Sequence, residues 1–419
     1  MSEFHDNIGL DLTGALRDGP QLPAHVYVHV PFCRVKCSYC DFYSVSDLEG
    51  DRIESVLRGI EAELTQWGEI GLPGVVETVY VGGGTPTVIV GGAVRIVRAA
   101  LEEFPVRAGA EVTVEANPDS VTPALMEALA AVGTTRVSLG VQSFVEKELG
   151  LLGRVHTVDE ASEACRAVRQ AGLGLSIDLM CGIPGQTKTS WTASLERAVT
   201  TGADHISVYP LTLEPGTPLE VAVSSGLVDE PDPDLAADLM VMAEEFLGMA
   251  DIERYEVSNY ARSGHESRHN MAYWTGRSYL GIGPAAHGML DAETALVTGL
   301  INTDDMKAGI ARVRYASPPD IDEWLTSGVV DLELLNESQT LREDAMLGLR
   351  LVRGISHVQA LGAGVEGALT ELEVQGLVER ITASGRPVTD EAVVPSMRWR
   401  TTRRGWLLGN EVFGKVLGE

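Results

Sequence analysis

Residues 25–40 read HVYVHVPFCRVKCSYC. The first six alternate histidine or valine with aromatic and β-branched residues, which predicts a short strand that ends at Val30. Three of the five cysteines in the chain, Cys33, Cys37 and Cys40, follow on the next turn. Cysteines grouped at this spacing are more typical of metal ligands or redox thiols than of a disulfide framework. The stretch therefore predicts a strand that leads into a site built from thiols.

Five further β-rich runs recur along the chain. They occupy residues 77–84, 111–118, 136–143, 175–182 and 205–212. Stretches with helical apolar spacing separate them, and two of these, 158–172 and 190–202, end on glycine, where helices commonly stop. Strand and helix in alternation predict a parallel sheet with right-handed crossovers. Six such units favour an α/β fold with a partial (β/α)6 TIM-like barrel, and an open doubly wound sheet is the alternative.

Polar and glycine-rich residues follow the predicted strands. Besides the cysteine turn, they are GGGTPT (82–87), EANP (115–118), GVQS (140–143) and the Asp178 region. Barrels of this kind carry their chemistry on the loops at the carboxyl ends of the strands. The pattern therefore predicts that these segments meet in one site.

The chain after the predicted barrel changes in character. We divide it into a leader (1–24), the barrel (25–250), an extension (251–315) and a C-terminal domain (316–419). The segment HESRHNMAYWTGRSYLGIGPAAHG in the extension is rich in glycine, aromatic residues and histidine. Helical runs, a β-wing and a last helix predict a small, mostly helical, winged-helix-like C-terminal domain.

The charge balance narrows the class of partner. With 60 acidic against 32 basic residues the formal net charge is -28, which repels nucleic-acid phosphates and anionic membranes. We expect no nucleic-acid partner.

The first ten residues lack the pattern of a secretory signal and no run of 18 apolar residues occurs, so we expect a cytoplasmic protein. Cys165 and Cys181 stand apart in apolar or helical context, which predicts buried structural thiols.

Three kinds of site are compatible with the cysteine turn. A zinc site would take the three cysteines with His29 as the fourth ligand. A redox dithiol would use Cys37 and Cys40 and leave Cys33 unexplained. An iron–sulfur cluster held by three thiolates uses all three and leaves one iron open to a chelating ligand such as S-adenosylmethionine.

The turn CxxxCxxC on the first loop of a partial barrel resembles the radical SAM superfamily, and GGGTPT resembles its glycine-rich strand end. Further stretches resemble one branch of it, which contains oxygen-independent coproporphyrinogen III dehydrogenase and the HemW-type heme chaperones. These stretches are YVHVPFC, RVSLGVQSF, LGRVHT, SIDLMCGIPGQT and YPLTLEPGT, within residues 25–290. The resemblance implies a [4Fe–4S] cluster on Cys33, Cys37 and Cys40, with S-adenosylmethionine as a second cofactor.

The resemblance also implies site residues. Tyr27, Gly83 and Glu115 are similar to contacts of the cluster-bound S-adenosylmethionine. Positions that line a second S-adenosylmethionine in the dehydrogenase correspond to Tyr39, Gly84, Thr85, Gln142, Arg154 and Asp178.

Two features distinguish the branches. The dehydrogenase has a further cysteine two places after its third ligand, where this chain has Asp41 and then Phe42. The dehydrogenase also has an N-terminal extension longer than the 24 residues that precede the first predicted strand here. Coproporphyrinogen oxidation is therefore not expected. RHNMAYW (268–274) resembles the HNxxYW motif of the chaperones. It offers the imidazole of His269 to heme iron, with Asn270 beside it and with Tyr273 and Trp274 as flat surfaces for the porphyrin. His287, in GIGPAAHG, is a second candidate histidine without an assigned role.

We therefore expect a heme-binding chaperone on a radical SAM scaffold. Its expected partners are heme and apo-hemoproteins, including respiratory enzymes, while dimerisation stays open. An enzyme that decarboxylates coproporphyrinogen III is the first alternative. A zinc or thiol redox protein is the second.

Overall fold

A computed structural model describes residues 22–327, 330–382, 385–386, 388 and 397–418. The leader predicted for residues 1–24 lies outside the described residues, apart from its last three.

Twelve strands of the described chain form one large sheet. They are β1 His25–Val30, β2 Val76–Gly83, β3 Val106–Ala116, β4 Arg136–Gln142, β5 Gly174–Cys181, β6 His205–Pro210, β7 Glu253–Arg254, β8 Asn259–Ala261, β9 Tyr279–Ile282, β10 His287–Asp291, β11 Ile310–Ala316 and β12 Asp331–Asn336. A small sheet contains β13 Ile355–Ser356, β14 Val378–Ile381 and β15 Arg398–Thr401.

Helices cover the outer face of the large sheet and build most of the C-terminal domain. They are α1 Gly50–Glu69, α2 Gly92–Glu103, α3 Pro123–Ala131, α4 Glu146–Leu151, α5 Val158–Gln170, α6 Lys188–Thr200, α7 Pro218–Ser224, α8 Pro233–Gly248, α9 Arg268–Trp274, α10 Ala292–Val297, α11 Thr303–Lys307, α12 Ile321–Ser327, α13 Glu337–Leu349, α14 His357–Gly362, α15 Glu366–Val374, α16 Arg403–Leu407 and α17 Gly409–Leu417. None of the helices in the described ranges is long and apolar enough to cross a membrane.

The order of the strands decides between the two predicted architectures. Strands β1 to β6 are all parallel and lie side by side in the order of the sequence. A doubly wound sheet would reverse its order at a switch point, and this sheet does not. The predicted partial (β/α)6 barrel is therefore confirmed. Its carboxyl end, where the strands finish, and its amino end, where they begin, are the reference points used below.

Local signals explain why the crossover helices begin and end where they do. Thr157 and Thr187 cap the first turns of α5 and α6, each in a capping box with the residue three places on. Both helices stop just before a glycine with positive φ, Gly172 at 76° and Gly202 at 76°. These are the two glycine stops expected from the sequence.

The large sheet continues past residue 315, where the predicted barrel extension ends. Strand β9 adds to β1 in parallel, and β10, β11 and β12 then follow as antiparallel neighbours. A second apolar core starts within α13, at Ala345 and Leu349. Because β12 belongs to the large sheet, we propose that the C-terminal domain begins at α13. Its strands β14 and β15 pair antiparallel before α16 and α17, which is the predicted wing and helix.

A buried carboxyl group at the turn between β7 and β8 makes stability depend on pH. Glu256 is fully buried and accepts a hydrogen bond from the backbone N–H of Ser258 at 3.1 Å. Burial raises its pKa from 4.5 to about 7. The folded state therefore binds this proton more tightly than the unfolded state. The stabilisation is complete below the unfolded pKa and is lost as the pH rises through about 7.

We predict that Glu256→Gln becomes more stable relative to the parent chain as the pH rises. Between pH 4.5 and 7 the difference in free energy of unfolding should grow by up to about 3 kcal/mol, since one pKa unit corresponds to about 1.4 kcal/mol. Urea unfolding across this pH range measures it. The exposed Glu127, changed to glutamine, is the control variant. A flat difference for Glu256→Gln would contradict the prediction.

Candidate functional site

The loop of residues 31–45, here called the cysteine loop, leaves β1 at the carboxyl end of the barrel. Backbone hydrogen bonds tie its two ends together: Cys33 N–H donates to Val45 O at 3.0 Å and Val45 N–H donates to Pro31 O at 2.7 Å. Its middle is tied to the loop after α4, since Ser38 N–H donates to Leu152 O at 3.1 Å. The fold therefore fixes the backbone that carries all three cysteines.

The three cysteines are free and half-buried, close enough together for their charges to interact. Burial raises the pKa of Cys33 and raises that of Cys40 to about 11. Three adjacent thiolates without a cation are therefore unfavourable, and a bound metal centre would supply the compensating charge. Cys165 and Cys181 are buried in the apolar core, as predicted.

The geometry does not favour a single metal ion. Within the described ranges no group of three or more His, Cys, Asp or Glu side chains is placed to hold one ion. His29, the fourth ligand of the zinc alternative, donates from Nε2 to Tyr43 O at 3.0 Å, while its Nδ1 is 3.0 Å from the Tyr27 hydroxyl. An iron–sulfur cube, which spans more space than one ion, fits a loop of three thiols and needs no histidine.

Polar side chains link two of the thiols to the neighbouring strand ends. Arg154 Nη1 donates to the sulfur of Cys37 at 3.2 Å, and its Nη2 donates to Asn117 Oδ1 at 2.7 Å. Asn117 Nδ2 donates to Thr85 Oγ1 at 2.9 Å, and that hydroxyl is 3.6 Å from the sulfur of Cys33. The residues after β2, β3 and α4 thus form one hydrogen-bonded set with the cysteine loop.

The glycine run at the end of β2 lies directly against the cysteine loop. Gly84 N–H donates to Val30 O at 2.9 Å, and a Cβ on Gly84 would lie 2.6 Å from Phe32 O. Gly83 has φ 103°, and a Cβ there would meet the imidazole of His29 at 2.6 Å. Both positions therefore require glycine, because any side chain would push the two loops apart.

Glu115 lies inside the barrel next to this glycine run. Its carboxyl group accepts hydrogen bonds from the Tyr80 hydroxyl at 2.7 Å and from Gly83 N–H at 3.1 Å. Burial raises its pKa to about 7, with a further contribution from the charge of Asp178. Tyr27 lies beside it, with its ring centroid 6.1 Å from that of Tyr80. The residues predicted for the first S-adenosylmethionine are therefore adjacent.

The remaining residues predicted for S-adenosylmethionine also lie on this side of the barrel. Gln142 ends β4 with φ 67°, an unusual conformation for a residue with a side chain and one that often marks a functional position. Asp178 is 3.4 Å from the Ser138 hydroxyl, and burial raises its pKa. Tyr39 packs on an apolar cluster that includes Leu152. Gly84, Thr85 and Arg154 lie next to the cysteine loop as well.

Two residues of this site were not identified from the sequence. Asn117 bridges Arg154 and Thr85, and Tyr80 holds Glu115. A signal was present for each: Asn117 stands in EANP at the end of β3, and alternation along β2 places Tyr80 on the same face as Gly82. Strand alternation alone does not show which inward side chain meets a carboxylate.

The HNxxYW motif forms α9, which lies at the amino end of the barrel, opposite the cysteine loop. Glu111, near the base of β3, accepts hydrogen bonds from the backbone N–H of Arg268 at 2.9 Å and of His269 at 3.1 Å. Arg268 also donates from its guanidinium to Gly109 O at 2.6 Å. A carboxylate at the start of a helix is stabilising, so Glu111 fixes α9 against the first residues of the strands.

The imidazole of His269 points into the barrel and is 1% exposed. Its Nδ1 is 2.7 Å from Thr78 Oγ1 and its Nε2 is 2.9 Å from the hydroxyl of Tyr273. The ring stacks on Tyr80 with centroids 5.1 Å apart. Both ring nitrogens are thus occupied in this conformation, and burial lowers the pKa of the imidazole well below its usual range.

The other residues of the motif are half-buried around α9. The backbone N–H of Asn270 donates to Ser267 Oγ at 3.3 Å. The ring of Tyr273 packs edge-on against Tyr279 at 4.6 Å, and the guanidinium of Arg350 lies 5.1 Å from the ring of Trp274. The structure therefore keeps the four predicted heme residues together but does not bring them to the cysteine loop.

Comparison with known proteins agrees with this geometry. The family model of the radical SAM superfamily matches residues 27–198. The heme chaperone HemW of Mycobacterium tuberculosis is 33% identical over 389 residues, which cover 89% of this chain and 95% of that protein. HemW of Bacillus subtilis is 31% identical over 404 residues, with 94% and 99% covered. A mouse mitochondrial protein named radical S-adenosyl methionine domain-containing protein 1 is 37% identical over 349 residues, with 80% and 74% covered.

A solved structure with the same fold is coproporphyrinogen III oxidase HemN from Escherichia coli, described as a radical SAM enzyme. It superposes with a TM-score of 0.75 at 19% identity, covering 94% of this chain and 90% of that one. Identity at this level shows a common fold and nothing about the reaction. The similarity to the two bacterial HemW proteins extends over nearly their whole length, and the match to the superfamily model includes the cysteine loop. The chain therefore belongs to the HemW family of the radical SAM superfamily.

Proposed function

We propose that this protein is a heme chaperone, which binds heme as cargo and delivers it to apo-hemoproteins. The observation that carries the proposal is the match, over nearly the full length, to proteins named heme chaperone HemW. The cysteine loop supports it, because Phe42 stands where the dehydrogenase branch has a further cysteine and is 66% exposed. Respiratory enzymes are the recipients we infer, and the cytosol is the compartment that its free cysteines at ligand spacing suit.

Membership of the radical SAM superfamily implies an iron–sulfur cluster and S-adenosylmethionine. We infer that Cys33, Cys37 and Cys40 hold three irons of a [4Fe–4S] cluster and leave the fourth iron to S-adenosylmethionine. When bound, such a cluster supplies electrons for the reductive chemistry of that cofactor. Tyr27, Gly83 and Glu115 would contact the bound cofactor.

The protein's own residues would position this cofactor and shield it. Tyr80 orients the carboxyl group of Glu115 through its hydroxyl, and the glycines of β2 allow the backbone to approach closely. A second S-adenosylmethionine would contact a further set of residues. That set is Tyr39, Gly84, Thr85, Gln142, Arg154 and Asp178. Its support is the resemblance together with their common location.

Heme would bind without long-range electrostatic attraction. The net charge of -28 repels the propionates, so affinity has to come from iron ligation and from apolar contact with the porphyrin. The sequence motif assigns these roles to His269, Asn270, Tyr273 and Trp274. For His269 to ligate iron, its ring would first have to leave Thr78 and Tyr273.

One experiment separates the chaperone from the enzyme. The protein is purified and reconstituted without oxygen and divided between two assays. Hemin titration followed by the Soret band should give saturable, stoichiometric binding. Incubation with reductant, S-adenosylmethionine and coproporphyrinogen III should release no carbon dioxide above a blank without protein. Turnover of coproporphyrinogen, or no binding of hemin, would contradict the proposed function.

The contact between Arg154 and Cys37 leads to a prediction about the reconstituted cluster. A positive donor on a ligating sulfur favours the reduced, more negative state, so Arg154→Gln should lower the reduction potential. We expect a decrease of about 60 mV, which for one electron is about 1.4 kcal/mol. Redox titration followed by EPR measures it. Arg154→Lys keeps the charge and should lie between the two; equal potentials in all three proteins would contradict the role of Arg154.

A further inference from the structure

The exposure of the histidines limits which of them reaches heme without unfolding part of the barrel. Most histidines in the described ranges are buried: His25, His29, His156, His205, His269 and His357. Two, His265 and His287, are exposed, and their side chains make no hydrogen bond with the described residues. An imidazole ligates iron through a nitrogen lone pair, and these two rings have theirs free.

His287 is at the carboxyl end of the barrel, next to the cysteine loop. It follows the turn of residues 283–286, which continues β9, and β9 runs parallel to β1. The turn lies against His29, since a Cβ on Gly283 would be 2.5 Å from His29 O. The pKa of His29 is lowered to about 4, mainly by burial, and the charge of His287 contributes to this lowering. The imidazole of His29 in turn lies against Gly83. His287 is therefore near the residues predicted for S-adenosylmethionine.

The turn before His287 is held rigidly. Gly283 N–H donates to Glu63 Oε2 at 2.9 Å, and Ala285 N–H donates to Pro318 O at 3.0 Å. Ser317 N–H donates to the carbonyl of Ala286 at 2.8 Å. Ala285 has φ 58°, a conformation that a residue with a side chain adopts at a cost of about 1 kcal/mol or more. The backbone of the turn is therefore held in place, while the imidazole of His287 makes no hydrogen bond with the described residues.

His265 lies at the other end of the molecule. It follows β8, whose last residue pairs with His205 at the start of β6, and the charge of His265 acts on that histidine. It is therefore at the amino end, away from the cysteine loop. His265 is an exposed imidazole without a link to the cofactor residues and serves as the matched control for His287.

An apolar side chain is exposed at the same end as His287. Phe42 is 66% exposed and directly precedes Tyr43, whose carbonyl oxygen accepts the hydrogen bond from His29. A porphyrin needs a flat apolar contact in addition to an iron ligand, and an exposed phenyl ring provides one. At the amino end, by contrast, Tyr273 and His269 are already packed against each other with centroids 4.8 Å apart.

We propose that His287 ligates the iron of bound heme, and that His269 is a positioning residue that holds α9 against the amino end of the barrel. The proposal rests on the proposed function and assigns its iron ligand. An exposed ligand suits a chaperone, since a recipient protein has access to the iron when the heme is transferred. In the described part of the chain, His269 is linked to the cofactor residues through Tyr80, whose hydroxyl holds Glu115.

The test compares three variants in hemin titrations of the full chain. His287→Ala should weaken hemin binding at least tenfold and shift the Soret band, and added imidazole should restore the original spectrum. His265→Ala should match the parent chain. His269→Ala should keep the position of the Soret band but melt at a lower temperature, because the contacts with Thr78 and Tyr80 are lost.

The outcomes separate the two levels of the proposal. If the parent chain binds no hemin, the proposed function and the ligand assignment both fail. If the parent binds hemin and His287→Ala keeps its affinity and spectrum, the ligand assignment alone is overturned. Loss of the Soret band in His269→Ala with an unchanged melting temperature would also overturn it. His287→Met guards against a folding artefact, since a thioether ligand should shift the spectrum of a folded, heme-bound protein.

Discussion

Changing Cys33, Cys37 or Cys40 to alanine is expected to abolish iron and sulfide binding completely, because two thiolates cannot hold three irons of a cube. Among the described residues no group of three or more His, Cys, Asp or Glu side chains is placed to hold a metal ion, so we expect no second site to take up the iron. Iron and sulfide analysis after anaerobic reconstitution, together with the absorption near 400 nm, measures the effect.

Cys165 and Cys181 provide matched controls for this prediction. Both are buried in the barrel core, at 1% and 0% exposure, away from the cysteine loop. Replacing either with alanine removes one thiol without touching the site, so the iron content should stay at the level of the parent chain. Retention of a full cluster in any of the three loop variants would rule out the assignment of that cysteine.

A second large effect is expected at the junction between the sheet and the C-terminal domain. Arg312 on β11 donates from Nη1 to Glu343 at 2.8 Å and from Nη2 to Asp344 at 2.7 Å, and its side chain is 3% exposed. Removing one partner of a buried ion pair leaves the other charge uncompensated and typically costs 3–5 kcal/mol. Arg314 also pairs with Glu343, which reduces the loss. We therefore predict that Arg312→Ala lowers the free energy of unfolding by about 3 kcal/mol.

The control for Arg312 is an ion pair of similar length on the surface. Lys188 and Asp238 are 2.7 Å apart, with side chains 58% and 60% exposed. Solvent screens such a pair, so Lys188→Ala should cost less than about 1 kcal/mol. Denaturant unfolding of the two variants gives the comparison. Equal, small losses in both would show that the contact between β11 and α13 contributes little.

The barrel strands could be predicted because short-range patterns specify them. All six predicted runs are strands, within a few residues at their ends. The order of the strands could not be derived from this alternation of strands and helices, because a doubly wound sheet shows the same alternation. The pairing of neighbouring strands in the structure distinguished the two architectures. Strand β12 lies in the segment that we grouped with the C-terminal domain and yet pairs with β11 in the large sheet, because membership of a sheet depends on pairing between distant segments.

Local motifs pointed to candidate residues that the structure places close together, whereas contacts between distant segments left no comparable signal in the sequence. The three cysteines lie close together in the sequence, and so do the glycines at the end of β2. Their spacing alone therefore marked both segments as candidates for the site. The motif of residues 268–274 suggested flat side chains presented to a porphyrin, whereas Glu111 turns His269 into the barrel. Nothing near the motif in the sequence indicates that carboxylate, which comes from β3, and for the same reason Asn117 and Tyr80 were not recognised.

The position of α9 on Glu111 also bears on how ligands reach the barrel. This helix lies across the lower part of β2 and β3, where it contacts Thr78 and Glu111, and so covers part of the amino end of the barrel. S-adenosylmethionine and heme would then both bind and dissociate at the carboxyl end, so that one bound ligand can slow the dissociation of the other. The ligand that is bound first should therefore slow the binding of the second, which stopped-flow mixing in the two possible orders of addition can measure.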